Sequence, residues 1–251
     1  MTPSLSAILI AKDEARDLPG CLDALAGLVT ETVVLVSDDT TDETETLAKA
    51  RGAKTARRKF DDYARMRQAS LAMATCEWCL WIDPDERVTP ALADEIRRTL
   101  AASPAEAAFD VPFEVEFLGH TMRWGGLGSE SHVRLFRRAK ARFTGGALHE
   151  SLAVDGATGR LQGKITHIPY RDIPDYLSKL DRYTTLAAQK RFAEGKRASV
   201  LRHLILPWEF FARAVLKLGA LDGRAGLVWA GLSAFHSWLK YAKLAELQRK
   251  P

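Results

Sequence analysis

Three acidic side chains, Asp83, Asp85 and Glu86, stand directly after the apolar run Trp78-Cys79-Leu80-Trp81-Ile82. A short apolar run of this kind reads as a buried strand. On an extended backbone alternate side chains share a face, so Asp83 and Asp85 are expected to point the same way. Two converging carboxylates repel each other unless a cation sits between them. A hard divalent ion such as Mg²⁺ or Mn²⁺ takes oxygen ligands, commonly one or two carboxylates plus the phosphates of a substrate. The pattern therefore points to a metal–diphosphate site at a strand end. A second cluster lies downstream. His149-Glu150 follows the glycine-flanked turn after Phe143-Thr144-Gly145-Gly146 and is a candidate acid/base pair, with Glu130 as an alternative carboxylate. Arg134 and Arg137, on the run His132 to Arg138, are candidates to meet phosphate charge.

These residues need a scaffold, and the hydrophobic pattern supplies one. Strands are expected at Ser4–Ala11, Thr32–Val36, Lys54–Arg57 and Trp78–Ile82, with helices at about 14–28, 42–51, 63–75 and 94–101. Thr32-Val33-Val34-Leu35-Val36 is almost purely aliphatic, as parallel strands buried on both faces are. The β-α-β-α-β-α-β alternation predicts an α/β fold with a mostly parallel, doubly wound sheet. Right-handed crossovers bring successive strand ends to one edge. Three of those ends carry an acid, at Asp13, Asp38 and Asp83. Ligands bind at that edge in open α/β sheets. Phe109 to Phe117 alternates as an edge or antiparallel strand, and a hairpin punctuated by Gly156, Gly159 and Gly163 returns through Ile165 and His167.

Composition excludes several classes. The chain has 251 residues, 47% apolar and 27% charged, with a net charge of +4. That balance suits an anionic ligand or membrane surface and is too weak to argue for nucleic acid without a recognition motif. No G-x-G-x-x-G follows the first strand and no G-x-x-x-x-G-K-[ST] occurs, which argues against a dinucleotide cofactor and a P-loop. Of the three cysteines, Cys76 and Cys79 form a lone C-x-x-C without a second ligand pair, so packing is expected rather than zinc. Leu5 to Ala11 lacks a preceding basic segment and is expected to be a strand, not a leader. No stretch approaches the roughly 18 apolar residues of a membrane span.

Several stretches, in order, resemble family 2 glycosyltransferases. Ile10-Ala11-Lys12-Asp13-Glu14 is similar to that family's opening I-A-x-N-E. Val33 to Thr44 resembles V-V-D-x-G-S-T-D-G-T, and Trp81-Ile82-Asp83-Pro84-Asp85-Glu86 its D-x-D-E. Arg134-Leu135-Phe136-Arg137, Phe143 to Gly146, His149-Glu150 and Leu221-Asp222-Gly223 resemble the subgroup that includes lipopolysaccharide core glucosyltransferases. The resemblance implies a GT-A fold and inverting transfer of a sugar from a nucleotide-diphosphate donor. It places Ala11, Asp13 and Asp38 at the nucleoside, Arg67 toward the donor, Asp83 at the ribose or at the metal through water, and Asp85 on the metal. Departures stand at Ser37, where Asp is usual, at Glu43, where Gly is usual, and at Gln68, where Asn is usual.

The mechanism so implied needs a Mg²⁺ or Mn²⁺ cofactor at the leaving diphosphate and one general base. Glu150 is the expected base, oriented by His149. Arg134 would assist at the diphosphate, and His167 would complete the metal shell with Asp83 and Asp85. Two domains are expected: a catalytic one over 1–171 and a basic amphipathic helical region over 172–251. On the latter, Trp208, Phe211, Ala212, Val215 and Leu218 share a face opposite Arg213 and Lys217. The expected partners are a nucleotide-sugar donor, a glycan or glycolipid acceptor and a membrane surface, at the inner, cytoplasmic face. A metal-dependent nucleotidyltransferase and a catalytically silent membrane adaptor are the alternatives. An aspartyl-nucleophile phosphatase is disfavoured, because Arg87 fills the fifth place of its D-x-D-x-[TV] motif.

Overall fold

The computed structural model describes residues 4–127, 130–146, 149–199 and 204–249, with the backbone alone at 146, 149 and 150. The chain forms two compact units, one of Met1–Phe113 with Ser129–His167 and one of Glu114–Gly128 with Ile168–Pro251.

The first unit opens with β1 (Leu5–Ala11), α1 (Leu18–Leu25), β2 (Glu31–Ser37), α2 (Thr44–Ala50), β3 (Lys54–Arg58), α3 (Tyr63–Met73) and β4 (Trp78–Trp81). β1 pairs in parallel with β2 and β4, and β2 with β3. The order β3-β2-β1-β4 means the chain moves outward from β1, then returns to its other side. The ends of β1 and β4 therefore meet at a switch point, where such sheets hold ligands. The aliphatic character of β2 has the expected consequence: Val33, Val34 and Val36 are fully buried. α1 begins later than its apolar spacing implies, because Pro19 occupies its first turn. α4 (Pro90–Ala101) begins earlier than expected, since the Thr89 side chain accepts from Leu92 N and Pro90 fits the first turn.

The sheet then changes character. β5 (Glu86–Val88), β6 (Ala108–Phe117), β8 (Ser131–Arg137) and β12 (Ile165–His167) complete the order β4-β8-β6-β12-β5, after the intervening β7 (His120–Met122), β9 (Ala141–Gly146), β10 (His149–Val154) and β11 (Thr158–Arg160). β8 runs antiparallel to β4 and to β6, and β12 antiparallel to β5. Parallel pairing is thus confined mainly to the first four strands. One apolar cluster packs α1 and α4 on the sheet; a second packs α3 and the β9–β10 hairpin around Phe136 and Phe143. Cys21, Cys76 and Cys79 are free and buried, as packing residues.

The second unit is built around Trp229. The end of β6 pairs with β7, and α5 (Ile173–Ala193), α6 (Ile205–Phe211) and α7 (Gly223–Leu247) follow. Phe117, Met122, Tyr176, Leu180 and Trp229 form its core, with the Phe117 and Trp229 rings 5.4 Å apart. Residues 114–128, which precede the boundary expected at 171/172, group with the helices, because Phe117 and Met122 find their apolar partners there. The buried Asp222 accepts from the backbone N–H groups of Arg123 and Trp124, the latter at 2.8 Å. Among the described residues no helix is long and apolar enough to cross a membrane.

Gly226 of α7 lies where a Cβ would come within 1.8 Å of the Gly219 carbonyl oxygen. Gly226→Ala is expected to destabilise by at least about 1–3 kcal/mol through overpacking. Gly231→Ala, with nothing within 4 Å of its Cβ, is expected to stabilise the same helix by up to about 1 kcal/mol. Denaturant unfolding of the two variants checks the pair; equal stabilities would contradict the close approach.

Candidate active site

The acidic loop after β4 is a turn, not a continued strand. Glu86 N–H donates to the Asp83 carbonyl at 3.0 Å, and Asp83 N–H donates back to Glu86 Oε2 at 2.8 Å. The alternation argument therefore fails locally, and the two aspartates take different partners. Asp83 accepts from Arg67 Nη1 at 2.9 Å and from Arg134 Nη2 at 3.5 Å. Asp85 Oδ2 lies 3.2 Å from His167 Nε2. The antiparallel pairing of β12 with β5 aligns His167 with Glu86 and so delivers the imidazole to this loop.

Trp81 and Glu86, to which the sequence pattern assigned no role of their own, organise the cluster. Trp81, the last residue of β4, lies between the guanidiniums of Arg67 and Arg134, at 4.4 and 4.3 Å from the ring centroid. Glu86, buried, accepts from Arg134 Nη2 at 2.5 Å. A Trp next to a D-x-D-E with Arg at two distant positions was a visible signal, but the stacking partner of a Trp is not encoded by spacing. Arg87 supports the turn from behind: its guanidinium donates to the carbonyls of Pro84, Glu86 and Asp17, each at 2.8 Å.

The electrostatics follow from this geometry. Burial alone would raise Asp83, but the charges of Arg67 and Arg134 outweigh it and hold the carboxyl well below its usual range. Burial pushes Glu86 above the ordinary carboxylate range; Arg134 pulls against it, and the negative charge of Asp83 reinforces the rise. Burial lowers His167, and its hydrogen bond and charge pairing with Asp85 more than reverse this, so the imidazole is raised. Arg134 Nε and Nη1 and Trp81 Nε1 are buried with no hydrogen-bond partner among the described residues.

At the neighbouring strand ends, Ala11 is buried at the close of β1, and Asp13 adopts a left-handed backbone, φ 53°. Asp13 Oδ1 accepts from Thr41 N at 2.8 Å, joining the loops after β1 and β2. Asp38 is exposed, and its backbone N–H donates to Arg58. Ser37, where the family pattern has Asp, donates to Asp39 Oδ1 at 2.5 Å, and Asp39 also pairs with Lys12. Gln68, where Asn is usual, accepts from Phe143 N at 2.9 Å and so serves packing.

Other expected site residues stand apart. Arg137 stacks on Trp78, pairs with Glu77 and donates to the Glu106 and Pro104 carbonyls, a structural set of contacts. Glu130 is exposed, with its carboxylate 3.5 Å from His132 Nε2. His149 and Glu150 open β10 opposite Gly146 and Gly145; their side chains lie outside what the structure describes.

Among the described residues no group of three His, Cys, Asp or Glu side chains is arranged to hold a divalent ion. Asp85 and His167 do converge, both partly exposed. Two protein ligands suffice for an ion that takes its remaining positions from phosphate and water, so the pair fits a donor-bridging Mg²⁺ or Mn²⁺.

Residues 6–153 match the sequence model described as Glycosyl transferase family 2. The chain belongs to glycosyltransferase family 2. It is 26% identical, over 96% of its length and 91% of the relative's, to the lipopolysaccharide core biosynthesis glycosyltransferase LpsC of Rhizobium meliloti. It is 24% identical to an uncharacterized glycosyltransferase of Rickettsia typhi, over 98% of this chain and 88% of that one. Among solved structures, S. aureus TarS 1-349 in complex with UDP-GlcNAc is similar over 98% of this chain and 91% of that chain, at 12% identity and a TM-score of 0.49. The architecture is that of a GT-A glycosyltransferase: mixed α/β, a central sheet flanked by helices, and a helical C-terminal region.

Removing one member of the buried charge cluster should be costly. Arg134→Met strands Glu86 and is expected to lower stability by about 3–5 kcal/mol. Adding Glu86→Gln should return part of that loss, as a double-mutant cycle on denaturant unfolding would read. A cost below about 1 kcal/mol in the single variant would contradict the coupling.

Proposed function

We propose that this family 2 protein is a metal-dependent, inverting hexosyltransferase. Its donor is a UDP-glucose-like nucleotide-sugar, and its acceptor is a glycan or glycolipid of the lipopolysaccharide-core type. The observation that carries the reading is the Asp85–His167 pair set beside the Arg67–Asp83–Arg134 cluster at the rim of β1 and β4. The acceptor class is supported by similarity to LpsC along nearly the whole chain.

Asp85 and His167 would hold the cation, with Asp83 meeting it through water or reaching the ribose. When bound, Mg²⁺ or Mn²⁺ supplies Lewis-acid neutralisation of the leaving diphosphate. The chain's own residues do the rest. Arg134, a donor with unfilled hydrogen-bonding capacity beside the cation pair, favours a polyanion there. Ala11, Asp13 and Asp38, at the ends of β1 and β2, offer a nucleoside cradle. Glu150, aided by His149, takes the acceptor hydroxyl proton as that oxygen attacks the anomeric carbon from the face opposite the diphosphate. One carboxylate base suffices for a single displacement, whereas retaining glycosidases employ two carboxylates. Glu130 is the alternative base. An acceptor with a lipid anchor would bring the enzyme to the inner, cytoplasmic membrane face.

A panel of nucleotide-sugars with and without Mn²⁺ tests the reading through release of nucleoside diphosphate. Asp85→Asn and His167→Ala are expected to lose metal-dependent turnover on the order of 10²–10³-fold, the equivalent of several kcal/mol. Full Mn²⁺ stimulation in both would remove the metal assignment. Glu150→Gln should bind donor normally yet transfer about 10²–10⁴-fold more slowly. Undiminished transfer would move the base to Glu130.

A further inference from the structure

The chain from Leu204 to Leu221 leaves an unusual number of large apolar side chains exposed. Leu204, Trp208, Phe211, Val215 and Leu218 recur at the spacing of one helical face; α6 carries Trp208 and Phe211, a π-helical turn over Ala212–Leu216 carries Val215, and Leu218 has a left-handed backbone, φ 57°. All five are exposed, from 45 to 63%. Leu206 and Phe210, on the other side of α6, are exposed as well, at 37 and 40%, and cover is confined to the turn after it. Ala214 is buried, and Arg213 turns inward to donate to the Gly125 carbonyl at 3.3 Å while pairing with Glu209. The Trp208 and Phe211 rings lie 6.4 Å apart on the exposed face. A monomeric soluble protein rarely leaves so much contiguous apolar surface without a partner for it.

We infer that this face, residues 204–221, inserts into the interfacial layer of an anionic lipid bilayer. Three observations select lipid over a protein partner. The exposed charged side chains from 204 to 228 are Lys217 and Arg224, both cationic, while the carboxylates of that stretch are engaged inward: Glu209 with Arg213, and buried Asp222 with backbone N–H groups. That charge pattern complements anionic headgroups. The aromatic content suits the headgroup boundary, where an amphipathic helix lies in the plane of the membrane. Finally, the described helices are too short or too polar to span, so burial of this face means lying on the bilayer, not crossing it. The inference goes beyond the transfer reaction and does not depend on the donor or the base.

Flotation of the full chain with unilamellar vesicles tests it. Vesicles of phosphatidylcholine with phosphatidylglycerol are expected to carry the protein, and phosphatidylcholine alone to carry markedly less. Trp208→Ser with Phe211→Ser and Val215→Ser should lower partition on the order of 100-fold or more, with an unchanged melting temperature because these side chains are exposed. Lys217→Glu should lower it about tenfold on anionic vesicles alone. In the parent protein, lipids brominated near the headgroup should quench fluorescence, and Trp208→Phe should lose most of that quenching. Absence of flotation on anionic vesicles would overturn the inference. So would a dimer in solution that the triple substitution dissociates without any change in flotation, which would assign the face to a second copy of the chain.

Discussion

The structure depends on how it keeps three carboxylates together. Asp83, Asp85 and Glu86 fall within one turn at the end of a buried strand, a costly arrangement for like charges. Arg67 from α3 and Arg134 from β8 remove the cost by closing on Asp83 and Glu86, each guanidinium stacked on the Trp81 ring. Both guanidiniums are paired and stacked, Arg134 keeping two nitrogens without a hydrogen-bond partner among the described residues, and Asp85 faces the His167 imidazole. Charge is therefore partitioned across a few ångströms: a neutralised, rigid half and a half with negative character to spare.

That partition explains why the loop sits where it does. The parallel strands β1 to β4 create a switch point, and the antiparallel strands that follow bring the groups the first half lacks. β8 contributes Arg134 and β12 contributes His167, from opposite ends of the later sequence. Arg87 then ties the turn to the start of α1, so the acids are fixed from the rear as well as from the front. A diphosphate arriving at this rim meets donors already oriented, which is the form of preorganisation that lowers the cost of binding.

Much of this was legible in the residues alone. Aliphatic runs located β1, β2 and β4, and the acids after them gather at one edge of the sheet. The D-x-D position, Arg67, Arg134 and His167 were all singled out, and the structure brings those last three to Asp83 or Asp85. What escaped was conformation and pairing. Two aspartates separated by Pro were assigned a strand geometry, and the turn between Asp83 and Glu86 sends them to different partners. Trp81 was taken only as an apolar strand residue, because its role exists only once two distant arginines are folded onto it. Arg137 shared a strand and a charge with Arg134, yet its register directs it to Glu77 and Trp78. Nor does spacing show that Phe117 and Met122 belong by contact to helices that come much later in the chain. On the helical side, spacing says which residues share a face, and only packing says whether that face looks inward; Trp208, Phe211, Val215 and Leu218 are exposed.

The most direct measurement is anomalous diffraction from crystals grown with Mn²⁺ and a nucleotide-sugar. The account predicts a single manganese peak within coordination distance of Asp85 and His167, bridging to the donor's phosphates, with Asp83 still held by Arg67 and Arg134. A manganese peak elsewhere, or a bound nucleotide whose phosphates lie away from Asp85 and His167, would contradict it.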